Sequence, residues 1–155
     1  MRLGVISDLH ANLPALEAVL EALRGEGVDE VLLLGDLVGY GPHPKQVIRK
    51  VLDEGLSAIA GAWDLRVAYP MPGAVPEGVG RATLEWTRAQ LSEKEITYLR
   101  TLRASHRRTY GDKRLVAFHG TPGRPEEQLD FQGPARTFQG LMDRYGARIL
   151  LLGGR

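Results

Sequence analysis

Residues 2–10, RLGVISDLH, decide how the rest of the chain is read. The stretch 2–6 has the length and apolar character of a strand. It is followed at once by a carboxylate and an imidazole two residues apart, Asp8 and His10. A run meant only for a core has no use for either group at its end. The reading therefore turns on whether other runs along the chain end in the same way.

Outward from this stretch, short apolar runs alternate with segments of helical period. Residues 12–27, NLPALEAVLEALRGEG, read as a helix: Asn12 suits the N-cap, Pro14 the first turn, and glycines close it. Residues 28–36, VDEVLLLGD, read as a second strand, apolar without alternation, as expected when both faces are covered. Residues 43–55 read as a second helix, with Val47, Ile48, Val51 and Leu52 on one face. Residues 56–61 read as a third strand. This βαβαβ order predicts an α/β fold with a parallel sheet and right-handed crossovers. Beyond a Pro/Gly-rich loop at 69–78, helices are expected at 80–90 and 93–102, with Ser92 and Glu95 forming a capping box for the second. Residues 106–120 read as a hairpin turning at Gly111-Asp112. A last helix is expected at 134–146 and a last strand at 147–154, and Arg155 follows that strand directly.

Composition narrows the class. A chain of 155 residues fits one domain, and 43% hydrophobic with 25% charged residues is ordinary for a soluble globular protein. The net charge of +1 gives no compositional pointer to nucleic acid or membrane. The absence of cysteine excludes disulfides, thiolate metal sites and cysteine nucleophiles. No apolar run approaches the roughly 20 residues that cross a bilayer, and the N-terminal run meets Asp8 too early for a signal peptide. A cytoplasmic location is expected. Arginine outnumbers lysine 16 to 4, and Asn12 is the one asparagine. A GC-rich genome or a hot habitat gives this bias, and the reading leans to a thermophile.

The carboxyl ends of the apolar runs carry the chemistry. The first ends in Asp8 and His10, the second in Gly35-Asp36, the third in Gly61-Ala62-Trp63-Asp64, the hairpin strand in His119-Gly120, and the last in Gly153-Gly154. In open α/β sheets ligands bind outside these ends. Parallel packing brings Asp8, His10, Asp36 and Asp64 to one edge, and His119 joins them if its strand runs the same way. Mixed carboxylate and imidazole donors suit a divalent metal of intermediate softness, such as Mn, Fe, Co, Ni or Zn. Two such ions about 3.5–4 Å apart can clamp a phosphate ester and activate water. A lone Asp-x-His or Gly-Asp is an ordinary turn, and repetition at one end of successive strands is what points to a shared site. His43, in a turn flanked by prolines, reads as a surface residue rather than a ligand. The basic hairpin around Arg107, Arg108, Lys113 and Arg114 reads as a solvated face.

The segments SDLH, LLLGDLVGYGP, IAGAWD, AFHGTP and LLLGG, in that order, resemble the calcineurin-like metallophosphoesterase family, in particular its small bacterial phosphodiesterases and phosphatases. The resemblance spans nearly the whole chain. It implies a sandwich of mixed sheets flanked by helices, forming a single domain over 1–155 that lacks the family's last strands. It implies a metal-dependent hydrolase of phosphodiesters or small phosphomonoesters, using metal-activated water and one or two ions of Mn, Fe, Ni or Zn. Asp8 and His10 would hold the first ion, Asp36 would bridge, and His119 would hold the second. Asp64 is the candidate for orienting a neighbour or a metal-bound water, and is the one catalytic candidate outside the ligand set.

Three positions depart from the family pattern. Ala62 stands where the family has a ligating asparagine, Trp63 where it has a histidine that assists the leaving group, and Gly154 where it has a ligating histidine. The losses fall on the second ion, so one ion is expected to bind well and the other weakly or not at all. The missing strands imply that the chain is a fragment, or that another protomer covers the open edge as a homo-oligomer. Two other readings stay open: a non-catalytic scaffold or binding protein that keeps the fold, and a nuclease resting only on the basic hairpin.

Overall fold

The computed structural model describes residues 1–69, 77–129 and 133–154. Most of the Pro/Gly-rich loop expected at 69–78 lies outside them, as does Arg155. Three strands form the first sheet: β1 (Leu3–Ile6), β2 (Glu30–Leu33) and β3 (Ser57–Ala58). All are parallel in the order β1-β2-β3, with Ile6 opposite Leu33 and Leu33 opposite Ala58. Helix α1 (Leu13–Gly25) links the first pair and α2 (Pro44–Asp53) the second. The Asn12 side chain accepts from the Ala15 amide at 3.1 Å, which is the cap the sequence predicts.

β3 is shorter than the run 56–61 predicts. Ile59 still donates to the Leu33 carbonyl (3.0 Å), but Ala60 donates to Arg103 (2.9 Å). The chain thus leaves the first sheet to pair with the segment ahead of the hairpin. A helix absent from the sequence reading, α3 (Ala62–Ala68), starts immediately afterwards. Helices α4 (Val79–Gln90) and α5 (Glu93–Thr101) follow. The second sheet holds β4 (Ser105–Tyr110), β5 (Lys113–His119) and β6 (Ile149–Gly153), with α6 (Ala135–Tyr145) between the last two. β4 and β5 are antiparallel, Tyr110 facing Lys113 across the expected Gly111-Asp112 turn, whereas β6 runs parallel to β5.

Side-chain alternation along the strands builds the layers. Leu32 and Leu34 meet Leu115 and Ala117 of β5 between the two sheets, joined by Ile59. Leu33 and Ile6 point the other way, into a core with Leu16 and Leu20 of α1, Val47, Ile48 and Val51 of α2, and Leu99 of α5. On the outer face of the second sheet, Val116 and Phe118 pack with Ala147 and Tyr145 at the end of α6. The result is the expected sandwich of mixed sheets with helices on both outer faces, the parallel sheet read from the βαβαβ stretch forming its first layer. No helix among the described residues is long and apolar enough to cross a membrane.

The predicted capping box is present at α5. The Glu95 carboxylate accepts from the Ser92 amide at 2.8 Å and from the Ser92 hydroxyl. The hydroxyl, aided by the amide, holds the Glu95 carboxyl below the usual glutamate range despite burial. Glu95→Ala should therefore cost about 1–2 kcal/mol in urea unfolding at pH 7. A depressed carboxylate contributes fully above its unfolded pKa and loses that contribution as pH falls towards its folded one. The gap between variant and parent should accordingly narrow as pH is lowered from 7 towards 3.

Candidate metal centre

The loops after β1 and β2 are stitched to each other before they reach solvent. Asp8 N donates to Gly35 O (3.1 Å), His10 N to Asp36 O (2.8 Å) and Ala11 N to Leu37 O (2.8 Å). Farther out, Gly41 N donates to His10 O (2.9 Å) and His43 N to Ala11 O (3.1 Å). This path forces left-handed backbone on Asp8 (φ 59°), His10 (45°), Ala11 (58°), Asp36 (52°) and Tyr40 (59°). Among the described residues these are the only non-glycine residues at positive φ, and all lie in the two loops. Each such residue costs of the order of 1–2 kcal/mol.

The strain brings donors together. Ligating atoms of Asp8, His10 and Asp36 all lie within 4.8 Å of one another. The two oxygens of Asp36 have separate work. Oδ1 accepts from Trp63 N at 2.8 Å. Oδ2 faces two imidazoles, 3.8 Å from His10 Nε2 and 3.3 Å from His119 Nε2. His119 Nδ1 lies 2.6 Å from the Leu34 carbonyl. A carbonyl only accepts, so Nδ1 carries the proton and a neutral His119 turns a bare Nε2 towards a carboxylate oxygen. Two acceptors at that distance need a positive charge between them, supplied by a proton or by a cation. Burial would lower the His119 pKa, but the Asp36 carboxylate, the Leu34 carbonyl and the Asp8 charge outweigh it and hold the ring above its usual 6.5. His10 Nδ1 is buried without a hydrogen-bond partner. A divalent cation fits this donor set, and the carbonyl on His119 is the kind of outer contact that aims a ligating imidazole.

Asp8, His10, Asp36 and His119 are thus brought together, although His119 arrives on the second sheet. Asp64 is not at the surface of the site. It is fully buried at the start of α3, and its carboxylate accepts from Val38 N (3.1 Å) and Gly61 N (2.9 Å). Burial, with the charge of Asp36, pushes its pKa up to about 7 against those two amides. Through these two bonds it ties the loop after Asp36 to the start of α3.

Glycines make the convergence possible by lacking a side chain. A Cβ on Gly61 would sit 2.1 Å from Asp36 N, and one on Gly41 would sit 2.2 Å from His10 O. Gly154, at the position where the resembled family has a histidine, donates its amide to Asp8 Oδ2 (3.1 Å), and a Cβ there would lie 2.9 Å from His119 Nε2. Ala62 begins α3 and offers only a methyl.

A groove of about 450 Å³ runs from this cluster and includes Asp8, His10, Asn12, Tyr40 and His43 among its walls. Sequence reading missed Tyr40 here, and it placed His43 on the surface as a bystander. His43 is half-buried and begins α2. A signal was available, since both follow the Gly35-Asp36 turn within seven residues, but neither side chain carries a spacing that marks a ligand.

Comparison with known proteins agrees with the geometry. A family model described as the calcineurin-like phosphoesterase superfamily domain matches residues 1–150. An uncharacterised protein of Methanocaldococcus jannaschii is 28% identical over 124 residues, which is 80% of this chain and 51% of that protein. Escherichia coli phosphodiesterase YfcE is 40% identical over 55 residues, covering 36% of this chain and 27% of its own. The chain therefore spans about half the length of the first of these relatives and about a quarter of the second. Among solved structures, a hypothetical protein of Pyrococcus horikoshii superposes with a TM-score of 0.84 at 25% identity, over 97% of this chain and 68% of that one. A metallophosphoesterase from Sphaerobacter thermophilus superposes with a TM-score of 0.72 at 31% identity, over 98% of this chain and 59% of its own.

Proposed function

Because this chain belongs to the calcineurin-like phosphoesterase superfamily, we propose that it is a divalent-metal-dependent hydrolase of phosphodiesters or small phosphomonoesters. The observation that carries the reading is the single oxygen, Asp36 Oδ2, placed opposite the Nε2 atoms of both His10 and His119 with Asp8 alongside. Asp8, His10 and Asp36 would hold the ion, and His119, which faces the same Asp36 oxygen, would be the further ligand. A divalent ion there supplies Lewis acidity toward a phosphoryl oxygen and lowers the pKa of bound water towards neutrality. The protein's own part is positioning. Trp63 N fixes Oδ1 of Asp36, the Leu34 carbonyl fixes His119, and Asp64 locks the loop that carries Asp36.

With manganese, the protein should release p-nitrophenolate from bis-p-nitrophenyl phosphate. EDTA should stop the release and added manganese restore it. A rate equal to that of manganese alone would refute the hydrolase reading. Manganese, iron, nickel and zinc compared side by side would identify the preferred ion.

The donor count sets a second expectation. A second ion would have Asp36 and His119 but only the Ala62 methyl and Gly154 beside them, so its site is poorly furnished. Calorimetric titration of this chain with manganese should show close to one tight ion, and two equally tight ions would contradict that. The same poverty supports a non-catalytic scaffold as the competing reading. That reading would prevail if neither the parent nor Ala62→Asn hydrolyses the diester.

A further inference from the structure

We propose that Tyr40 is a stacking platform for an aromatic group on the phosphate ester, so that nucleotides are bound in preference to sugar or alkyl phosphates. This rests on the phosphoesterase reading, which puts the phosphate at Asp8, His10 and Asp36. Tyr40 is a large aromatic residue left 58% exposed. It is held there at a cost, since its φ of 59° is one that a bulky residue rarely adopts. Burial of apolar surface therefore does not explain the position.

The ring is also immobilised. It meets His10 edge-on, with centroids 5.1 Å apart at 82°, and Trp63 at 4.4 Å and 60°. Both distances fall in the range of favourable aromatic pairs. Gly39, at φ 95°, lets Trp63 close in from below: a Cβ there would lie 3.0 Å from the indole. Trp63 in turn donates its amide to Asp36 Oδ1 at 2.8 Å. The exposed ring is thus packed directly against one residue expected to hold the metal, His10, and is linked through Trp63 to another, Asp36. It also lines the same groove as Asp8 and His10. A rigid aromatic face beside a phosphate site offers a planar base a surface without an ordering cost, and stacking of this kind tolerates any base. A bare sugar or alkyl chain has no π-face to use it.

Calorimetry with AMP and with ribose 5-phosphate, on protein loaded with manganese, isolates the base because the two ligands share the rest. The parent should bind AMP at least about fivefold more tightly, the lower end of a base–aromatic stack. Tyr40→Gly relaxes the left-handed backbone while removing the ring, and should bring the two affinities to within about twofold. Tyr40→Asn, which also tolerates that backbone, gives the same result if the ring is what matters. Tyr40→Phe should keep the preference. Equal affinities in the parent, a preference that survives Tyr40→Gly, or loss of it in Tyr40→Phe would each overturn the proposal, as would no detectable AMP binding. Turnover of bis-p-nitrophenyl phosphate is read separately. Its absence removes the hydrolase reading and leaves the binding ratio measurable.

Discussion

Asp36→Asn should reduce metal-dependent phosphodiester hydrolysis by at least about 10²–10³-fold while leaving the fold within about 1 kcal/mol of the parent. The two halves of that expectation come from the two oxygens of one side chain. The asparagine carbonyl can still accept from Trp63 N, where Oδ1 now sits at 2.8 Å. Its NH2 then faces His119 Nε2, where Oδ2 now stands at 3.3 Å. That is a donor against the bare nitrogen of a neutral ring, a stable pair. The lost feature is the negative charge shared by both imidazoles. Metal affinity should fall with activity in calorimetry. In metal-free protein the His119 ring should also titrate at lower pH, because burial no longer meets a carboxylate that opposes it. A raised histidine pKa contributes stability below the unfolded value and loses it as pH rises through the folded one. The variant should therefore lose part of the parent's stability on the acid side of neutrality. A variant with parental turnover would remove Asp36 from the site.

Gly61→Ala should damage fold and activity together. The glycine has φ −97° and ψ 176°, which any residue adopts, so the obstacle is space and not conformation. The new methyl would lie 2.1 Å from Asp36 N and 2.2 Å from Asp36 Oδ1. The first is backbone and cannot swing away, and the second is held in place by Trp63 N. Either α3 or the Asp36 loop must move, and Asp64, which bonds Gly61 N and Val38 N, resists both movements. A cost of about 3 kcal/mol is expected, at the upper end for overpacking. That corresponds to a fall in Tm of roughly 6–12 °C for a chain of this size. Gly25→Ala is the control: nothing lies within 4 Å of the added carbon, and alanine at the end of α1 should stabilise by up to about 1 kcal/mol.

The four ligand candidates were legible because each follows an apolar run, and strand direction alone sends such residues to a common edge. The hairpin turn and the Ser92–Glu95 cap were legible because both are local chemistry. Helix α3 was not, since seven residues carry little periodicity. Its start is fixed by Asp36 accepting from Trp63 N and by Asp64 accepting from Gly61 N, bonds that span 27 and 3 residues. The point at which the chain leaves the first sheet was hidden for a similar reason. Whether Ala60 continues along β2 or turns to Arg103 depends on a partner more than 40 positions away, and no local pattern encodes that choice. Tyr40 was invisible because its role lies in exposure and backbone handedness, which a sequence does not display.

The left-handed loops carry a consequence for drift. Glycine at position 8, 10 or 36 would relieve the left-handed backbone, but at 8 and 36 it would also remove the acceptors of Gly154 N and Trp63 N, so selection for robustness alone favours the change most at position 10. Here all three positions instead carry side chains whose ligating atoms lie within 4.8 Å of one another, on a backbone that favours glycine.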